Sequence, residues 1–301
     1  MPRLLFLGST CADVILRVPR LPQTGEDMNL LGQSVSLGGC AFNACAAARC
    51  FGGAETTLFS PVGGGLWGDW VRRALAQRGI VSPIPPVEAP NGCCYCLVDG
   101  SGERTFLCEH GAEYRFCPEW LDLLGDAPYD GVYLCGLEVE EETGEVLLDY
   151  LERHPPRRLY FAPGPRLCHI PPQRMARIFA LHPLTHLNAA EVTFFTRQHT
   201  VAAGAAVLAQ ATEGDVVVTL GGEGAYILSH GRARVVPVVP VTVRDTIGAG
   251  DAHLGAIMGC EALGMTLEDA TVRANRAAAA VVSREGAELT REVFVQWMEE
   301  M

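Results

Sequence analysis

Asp245-Thr246-Ile247-Gly248-Ala249-Gly250-Asp251, followed at once by the apolar run 252–263, is the stretch around which the 301-residue chain is best read. If that run is a helix, the amides of Gly248, Ala249, Gly250 and Asp251 fall at its first turn. No earlier carbonyl pairs them there, and the helix dipole favours negative charge. Glycines remove the Cβ atoms that would hold a phosphate away from the backbone. Asp251, next to such an anion, is placed to take a proton from an attacking hydroxyl, as phosphoryl transfer requires. A plainer reading makes Asp251 a capping residue after a flexible turn. The stretch alone does not separate the two.

Composition narrows the field. Hydrophobic residues make up 49% of the chain, enough to bury a large α/β core. The net charge of −12, with no basic cluster, argues against nucleic acid or an anionic membrane as partner. The opening apolar stretch is too short for a secretory signal and no later run has the length of a membrane span, so a cytoplasmic location is expected. Twelve cysteines are scattered without an export signal and read as buried thiols. Cys93-Cys94-Tyr95-Cys96 has a CxxC spacing but no second pair at zinc-site distance, and its neighbours suggest a strand. All 23 basic residues are arginine. Without lysine there is no P-loop, no strand lysine of the protein kinases and no Schiff base.

Short β-rich runs at 4–8, 58–62, 132–137, 159–162, 185–188, 216–220 and 225–229 alternate with amphipathic stretches near 41–51, 69–79, 142–154, 173–181, 201–211, 252–263 and 267–283. This alternation predicts an α/β fold in one domain, 1–301, with a mostly parallel central sheet flanked by helices. Ligands in such folds bind beyond the carboxyl ends of the strands. Segments 28–37 and 93–109 break the rhythm and read as antiparallel strands, the second turning at Asp99-Gly100-Ser101-Gly102. They predict a small β-strand lid inserted at about 14–38 and 91–112.

Four further patterns accompany the opening stretch: Gly38-Gly39-Cys40-Ala41-Phe42-Asn43 before a helix and Gly52-Gly53, Asn188-Ala189-Ala190-Glu191 after a strand, Thr219-Leu220-Gly221-Gly222-Glu223-Gly224 at a turn, and Gly102-Glu103-Arg104-Thr105-Phe106 in the hairpin. With the 38–43, 188–191, 219–224 and 245–251 patterns in that chain order and spacing, the chain, from near Gly8 to about Leu289, resembles the ribokinase-like (PfkB) family of carbohydrate and nucleoside kinases. It looks most like a bacterial sugar-kinase subgroup.

That resemblance implies transfer of the γ-phosphoryl group of ATP to a primary hydroxyl of a small carbohydrate, with Asp251 as base and the amides of Gly248, Ala249, Gly250 and Asp251 as anion hole. It implies that Asp13, Gly38, Gly39 and Asn43 contact the acceptor, with Glu138 as a further candidate. On the nucleotide side it implies Asn188, Glu191, Thr219, Gly221, Gly224 and Asn275. Glu191 would hold Mg²⁺ through water. Asp245, with carbonyls near Ser283 and Gly286, matches the site for K⁺ that many members use. A homodimer through the lid is a family habit. From the residues alone, Asp13 reads as a loop residue, Asn275 as a helix surface residue, and Glu138 equally as the start of the solvated acidic run 138–142. The chain departs from the pattern at Gly65, where an Asp is usual, and at Ala252-His253-Leu254, where a small residue and Phe are usual. His253 reads as core-facing.

Three other functions compete. Gly63-Gly64-Gly65-Leu66-Trp67-Gly68 is a formal GxGxxG, but it lies on a later strand, and the segment towards Glu88 is proline-rich where a ribose-binding acid should follow a second strand. A silent sugar- or nucleotide-binding regulator on the same fold would be expected to lose the base or the anion turn, and both are intact. A nucleoside acceptor differs from a sugar only in the lid and the pocket.

Overall fold

The computed structural model describes residues 1–284 and 286–300. Its strands are β1 (Arg3–Leu7), β2 (Cys11–Arg17), β3 (Gly32–Gly38), β4 (Glu55–Phe59), β5 (Cys93–Val98), β6 (Arg104–Glu109), β7 (Gly131–Cys135), β8 (Leu159–Ala162), β9 (Leu184–Asn188), β10 (Val216–Thr219), β11 (Ala225–Ser229) and β12 (Arg232–Val236). Its α-helices are α1 (Cys40–Phe51), α2 (Gly65–Gln77), α3 (Pro118–Leu121), α4 (Gly136–Glu140), α5 (Gly144–Arg153), α6 (Pro172–Phe179), α7 (Ala189–Thr196), α8 (Val201–Thr212), α9 (Ala249–Ala262), α10 (Leu267–Val282) and α11 (Arg291–Glu300).

Eight strands form the central sheet in the order β12-β11-β10-β9-β8-β7-β1-β4, parallel from β10 to β4 and antiparallel at the β11–β12 edge. Its inner strands carry continuous apolar runs, as a sheet covered on both faces requires. Leu5, Phe6 and Leu7 of β1 are fully buried, each burial contributing about 1.5–3 kcal/mol. On one face α1, α9 and α10 supply a core dominated by alanine, glycine and cysteine. On the other, α5 and α6 pack Leu147, Leu148, Leu151 and Ile178 under β7 and β8.

The small residues of α1 and α9 matter for the site. A Cβ on Gly255 would lie 2.0 Å from the Ala44 carbonyl oxygen, and one on Gly259 would lie 3.0 Å from that of Ala48. The two helices therefore meet backbone to backbone, which brings Asn43 on α1 to Asp251 on α9.

The expected lid is a separate four-stranded sheet, β3-β2-β5-β6. Two expectations change here. The sheet is mixed, because β2 runs parallel to β5. Asp13 lies within β2, in register with Ser36 and Cys94, and is not a loop residue. The run Cys11-Ala12-Asp13-Val14-Ile15-Leu16-Arg17 follows β1 so closely that it reads as the tail of that strand. Among the described residues no helix is long and apolar enough to cross a membrane.

Candidate active site

Helix α9 begins at Ala249, three residues earlier than its apolar run suggests, with Gly248 as its N-cap. Gly248 is left-handed (φ 70°), and a Cβ there would meet Ala287 Cβ at 2.5 Å and Asn43 Nδ2 at 2.9 Å. Both the conformation and the space therefore require glycine. Ala252 N–H returns to Gly248 O at 2.8 Å and Ala249 N–H reaches Thr246 O at 3.4 Å. The Gly250 and Asp251 amides have no acceptor among the described residues and stand at the positive end of the 14-residue helix.

The Asp251 carboxylate accepts from Asn43 Nδ2 at 3.3 Å and from the Tyr133 hydroxyl at 3.1 Å. Burial raises its pKa to about 6, and these two donors act against that rise. Burial also holds the Tyr133 hydroxyl well above its ordinary pKa, so it stays protonated and donates. A carboxylate mostly ionised at pH 7, oriented by two donors beside unpaired helix amides, can accept a proton next to a bound anion.

Asp13, Gly38, Gly39, Asn43 and Glu138 surround this point. A Cβ on Gly38 would fall 1.9 Å from Asp13 Oδ2, and one on Gly39 would fall 2.5 Å from Ser9 O, so the two glycines let β2, the 8–10 turn and α1 close together. Asp13 is buried and its pKa rises to about 7, chiefly through lost solvation. Glu138 is fully buried at the head of α4, accepts from Ser9 N–H at 2.8 Å and is likewise pushed up by burial to about 7. It is not the solvated start of an acidic run. Ser9 Oγ, Thr10 Oγ1, Asn43 Oδ1 and Glu138 Oε2 are buried without a hydrogen-bond partner. Buried polar atoms are nearly always paired, so a cluster of orphans marks a place where a polar ligand or water belongs.

Asn188 and Glu191 lie at the carboxyl end of β9 and the head of α7, where they form a reciprocal capping box: Glu191 N–H to Asn188 Oδ1 at 2.8 Å and Asn188 N–H to Glu191 Oε2 at 2.9 Å. Thr219 ends β10 opposite Asn188, its hydroxyl 3.4 Å from Leu187 O. Gly221 and Gly224 bound the next turn, which closes through Leu220 N–H to Gly224 O at 2.8 Å. Asn275 is buried inside the protein, not on a helix surface. Its Nδ2 donates to Val236 O at 2.9 Å and Pro237 O at 3.1 Å, and its Oδ1 faces His253 Nε2 at 3.0 Å. His253 in turn meets His186 at 2.9 Å, which agrees with its core-facing reading. The two carbonyls fix the amide's orientation, so His253 must donate from Nε2 and accept at Nδ1 from His186 Nε2–H. Burial lowers the pKa of both rings, that of His253 to about 4.

Asp245 is buried and accepts from Ile247 N–H at 2.8 Å and Gly286 N–H at 3.0 Å. Ser283 turns its hydroxyl back to Ala279 O at 2.5 Å. Tyr133, Arg104 and the histidine pair were missed as contacts from sequence. Tyr133 had one signal, a polar-tipped aromatic in an otherwise apolar strand.

An α/β sheet whose strand ends carry unpaired helix-terminal amides, an oriented carboxylate and a cluster of unpaired polar atoms suits a phosphotransferase with an alcohol acceptor. The chain belongs to the pfkB family of carbohydrate kinases, whose family model matches residues 1–292. It is 34% identical over 286 residues to the uncharacterised sugar kinase YegV of Escherichia coli, covering 94% of this chain and 89% of that protein. Its fold is that of ribokinase from Thermotoga maritima (TM-score 0.82, 22% identity, 99% of both chains) and of adenosine kinase from Sinorhizobium meliloti (TM-score 0.85, 18% identity, 100% of this chain and 99% of that one).

Proposed function

We propose that this kinase transfers the γ-phosphoryl group of ATP to a primary hydroxyl of a small carbohydrate. The observation that carries the reading is Asp251, held by Asn43 and Tyr133 beside the unpaired amides of Gly250 and its own backbone. The acceptor oxygen forms its bond to the γ-phosphorus as the bond to the β-phosphate bridging oxygen breaks. Asp251 takes the hydroxyl proton, and ADP carries away the bridging oxygen. The amides of Gly248, Ala249, Gly250 and Asp251 offset charge on the transferring group, so catalysis is chiefly positioning and electrostatics.

Asp13, Gly38, Gly39, Asn43 and Glu138 bind the acceptor. Their buried, incompletely paired oxygens suit several hydroxyls at once. Asn188, Glu191, Thr219, Gly221 and Gly224 line the nucleotide side. Mg²⁺, when bound, neutralises phosphate charge. Glu191 would hold it through water, since Mg²⁺ keeps much of its hydration shell. Asn275 reaches the base only through the loop it braces at Val236 and Pro237. Strand β6 leaves Phe106 and Leu107 exposed on opposite faces, which supports a lid-mediated homodimer, testable by light scattering. A nucleoside acceptor is the second reading, favoured by the likeness to an adenosine kinase fold.

The test is ADP release with ATP and Mg²⁺ against neutral sugars, sugar acids and nucleosides, with Asp251→Asn as control. Acceptor-dependent ADP that disappears in the variant is expected. ATP binding without turnover on any acceptor would favour a silent regulator.

A further inference from the structure

A lid side chain sits on the turn that carries the anion hole. Arg104, on β6, places Nη2 3.1 Å from Asp245 Oδ1 and 3.3 Å from Arg244 O, and Nη1 3.2 Å from the Thr246 hydroxyl. Its side chain is 15% exposed, that of Asp245 6%, and Arg104 Nε is buried without a partner. Ile247, two residues further on, packs against Ile15, Cys96 and Val98 of the lid sheet. The lid and the turn therefore meet through an apolar contact at Ile247 and through the ion pair and two hydrogen bonds of Arg104.

Asp245 is the carboxylate that the family resemblance assigns to a monovalent cation. Here Oδ1 already faces a guanidinium and Ile247 N–H, while Oδ2 accepts Gly286 N–H. One buried carboxylate balances one positive charge. A second cation on it would leave a net charge with little solvent around it and would meet the repulsion of Arg104. Among the described residues, the Asp245 carboxylate is therefore already matched and does not suit an added monovalent ion.

We propose that Arg104 is the built-in cation of the Asp245 turn, delivered by the lid, and that this enzyme needs no K⁺. What a metal ion would do by binding, lid closure does by bringing Arg104 to Asp245, so that the anion-hole turn is fully braced only when the lid is shut. The rate consequence rests on the kinase reading above; the cation consequence does not.

Two readouts test it at constant ionic strength, KCl replacing tetramethylammonium chloride: turnover, and saturable K⁺ binding by calorimetry and thermal melting without nucleotide or acceptor. Wild type is expected to change rate by less than about twofold, the scale of residual salt effects, and to show no saturable K⁺ site. Arg104→Gln should lose about tenfold in tetramethylammonium, the rate equivalent of one charged hydrogen bond, and regain part of it in K⁺ with saturable binding. Arg104→Lys, which keeps the charge, should lie between. Saturable K⁺ binding to wild type with several-fold activation would overturn the proposal. So would an Arg104→Gln protein that is unimpaired, or one that is impaired and indifferent to K⁺. If that variant does not fold, the wild-type titrations decide. If no acceptor gives ADP, the kinase reading fails and the binding arm still stands or falls alone.

Discussion

The two halves of the proposed site are built on opposite principles. On the proposed acceptor side, Asp13 and Glu138 are buried, carry pKa values raised to about 7 and stand among polar atoms with no partner. On the proposed nucleotide side, Asn188 and Glu191 cap each other, the 221–224 turn closes on itself, and Asn188 is exposed. The first half is incomplete until something binds; the second is finished before anything arrives. An incomplete buried site rejects ligands that lack a matching hydroxyl, because each mismatch leaves an orphan unpaired. A self-satisfied rim gains less from any one contact. Acceptor choice should be strict and nucleotide choice permissive.

Substitutions on each side can break this contrast. The largest effect belongs to Asp251→Asn, which should cost at least about a hundredfold in turnover while calorimetric ATP affinity stays near normal. Equal loss of ATP binding would erase the separation between the halves. Next, Asp13→Asn should lower kcat/KM for the acceptor by about tenfold or more without changing the KM for ATP.

Asp13→Asn also has a stability signature. The raised pKa values of Asp13, Glu138 and Asp251 mean that the folded chain holds protons the unfolded chain has released between about pH 4 and 7. Their contribution is most favourable below that window and declines as pH rises through it. Asp13→Asn should therefore melt higher than wild type at pH 8, with the gap closing towards pH 4. A lower melting point at pH 8 would show that Asp13 is already well paired.

A smaller loss is expected from Glu191→Ala: about 1 kcal/mol of stability from the broken capping box and a higher Mg²⁺ requirement, with acceptor KM unchanged. Smallest is Tyr133→Phe. Removing a donor that favours the Asp251 carboxylate should move the acid limb of the kcat/KM profile, expected near pH 6, upward by a fraction of a unit. A downward shift would contradict the hydrogen bond's assigned direction.

Legibility followed locality. The turn at 245–251, the glycines at 38–39 and the hairpin at 93–109 are short segments whose conformation is set by their own residues, and each lies where its sequence indicates. Asn275 was hidden because the alanine-rich helix α10 offers little apolar contrast, and arginines stand nearby at 273 and 276. Its partners His253 and Val236, and His186 behind His253, come from three other elements, a closure no local pattern encodes. Arg104 is of the same kind: it looks like a solvated charge in a hairpin and becomes a contact only when the lid lies on the turn. Glu138 was ambiguous because three more acidic residues, Glu140, Glu141 and Glu142, follow it after a single valine, and burial separates it from them.

The seam between α1 and α9 gives the enzyme a ruler without moving parts. Where Gly255 touches the backbone of Ala44, no rotamer exists to relax, so the separation of Asn43 from Asp251 is fixed by two main chains in contact. A single methyl added at Gly255 has nowhere to go, and the wedge it drives between the helices opens one turn away, at Asp251. The spacing of Asn43 and Asp251 is thus recorded in atoms the chain leaves out.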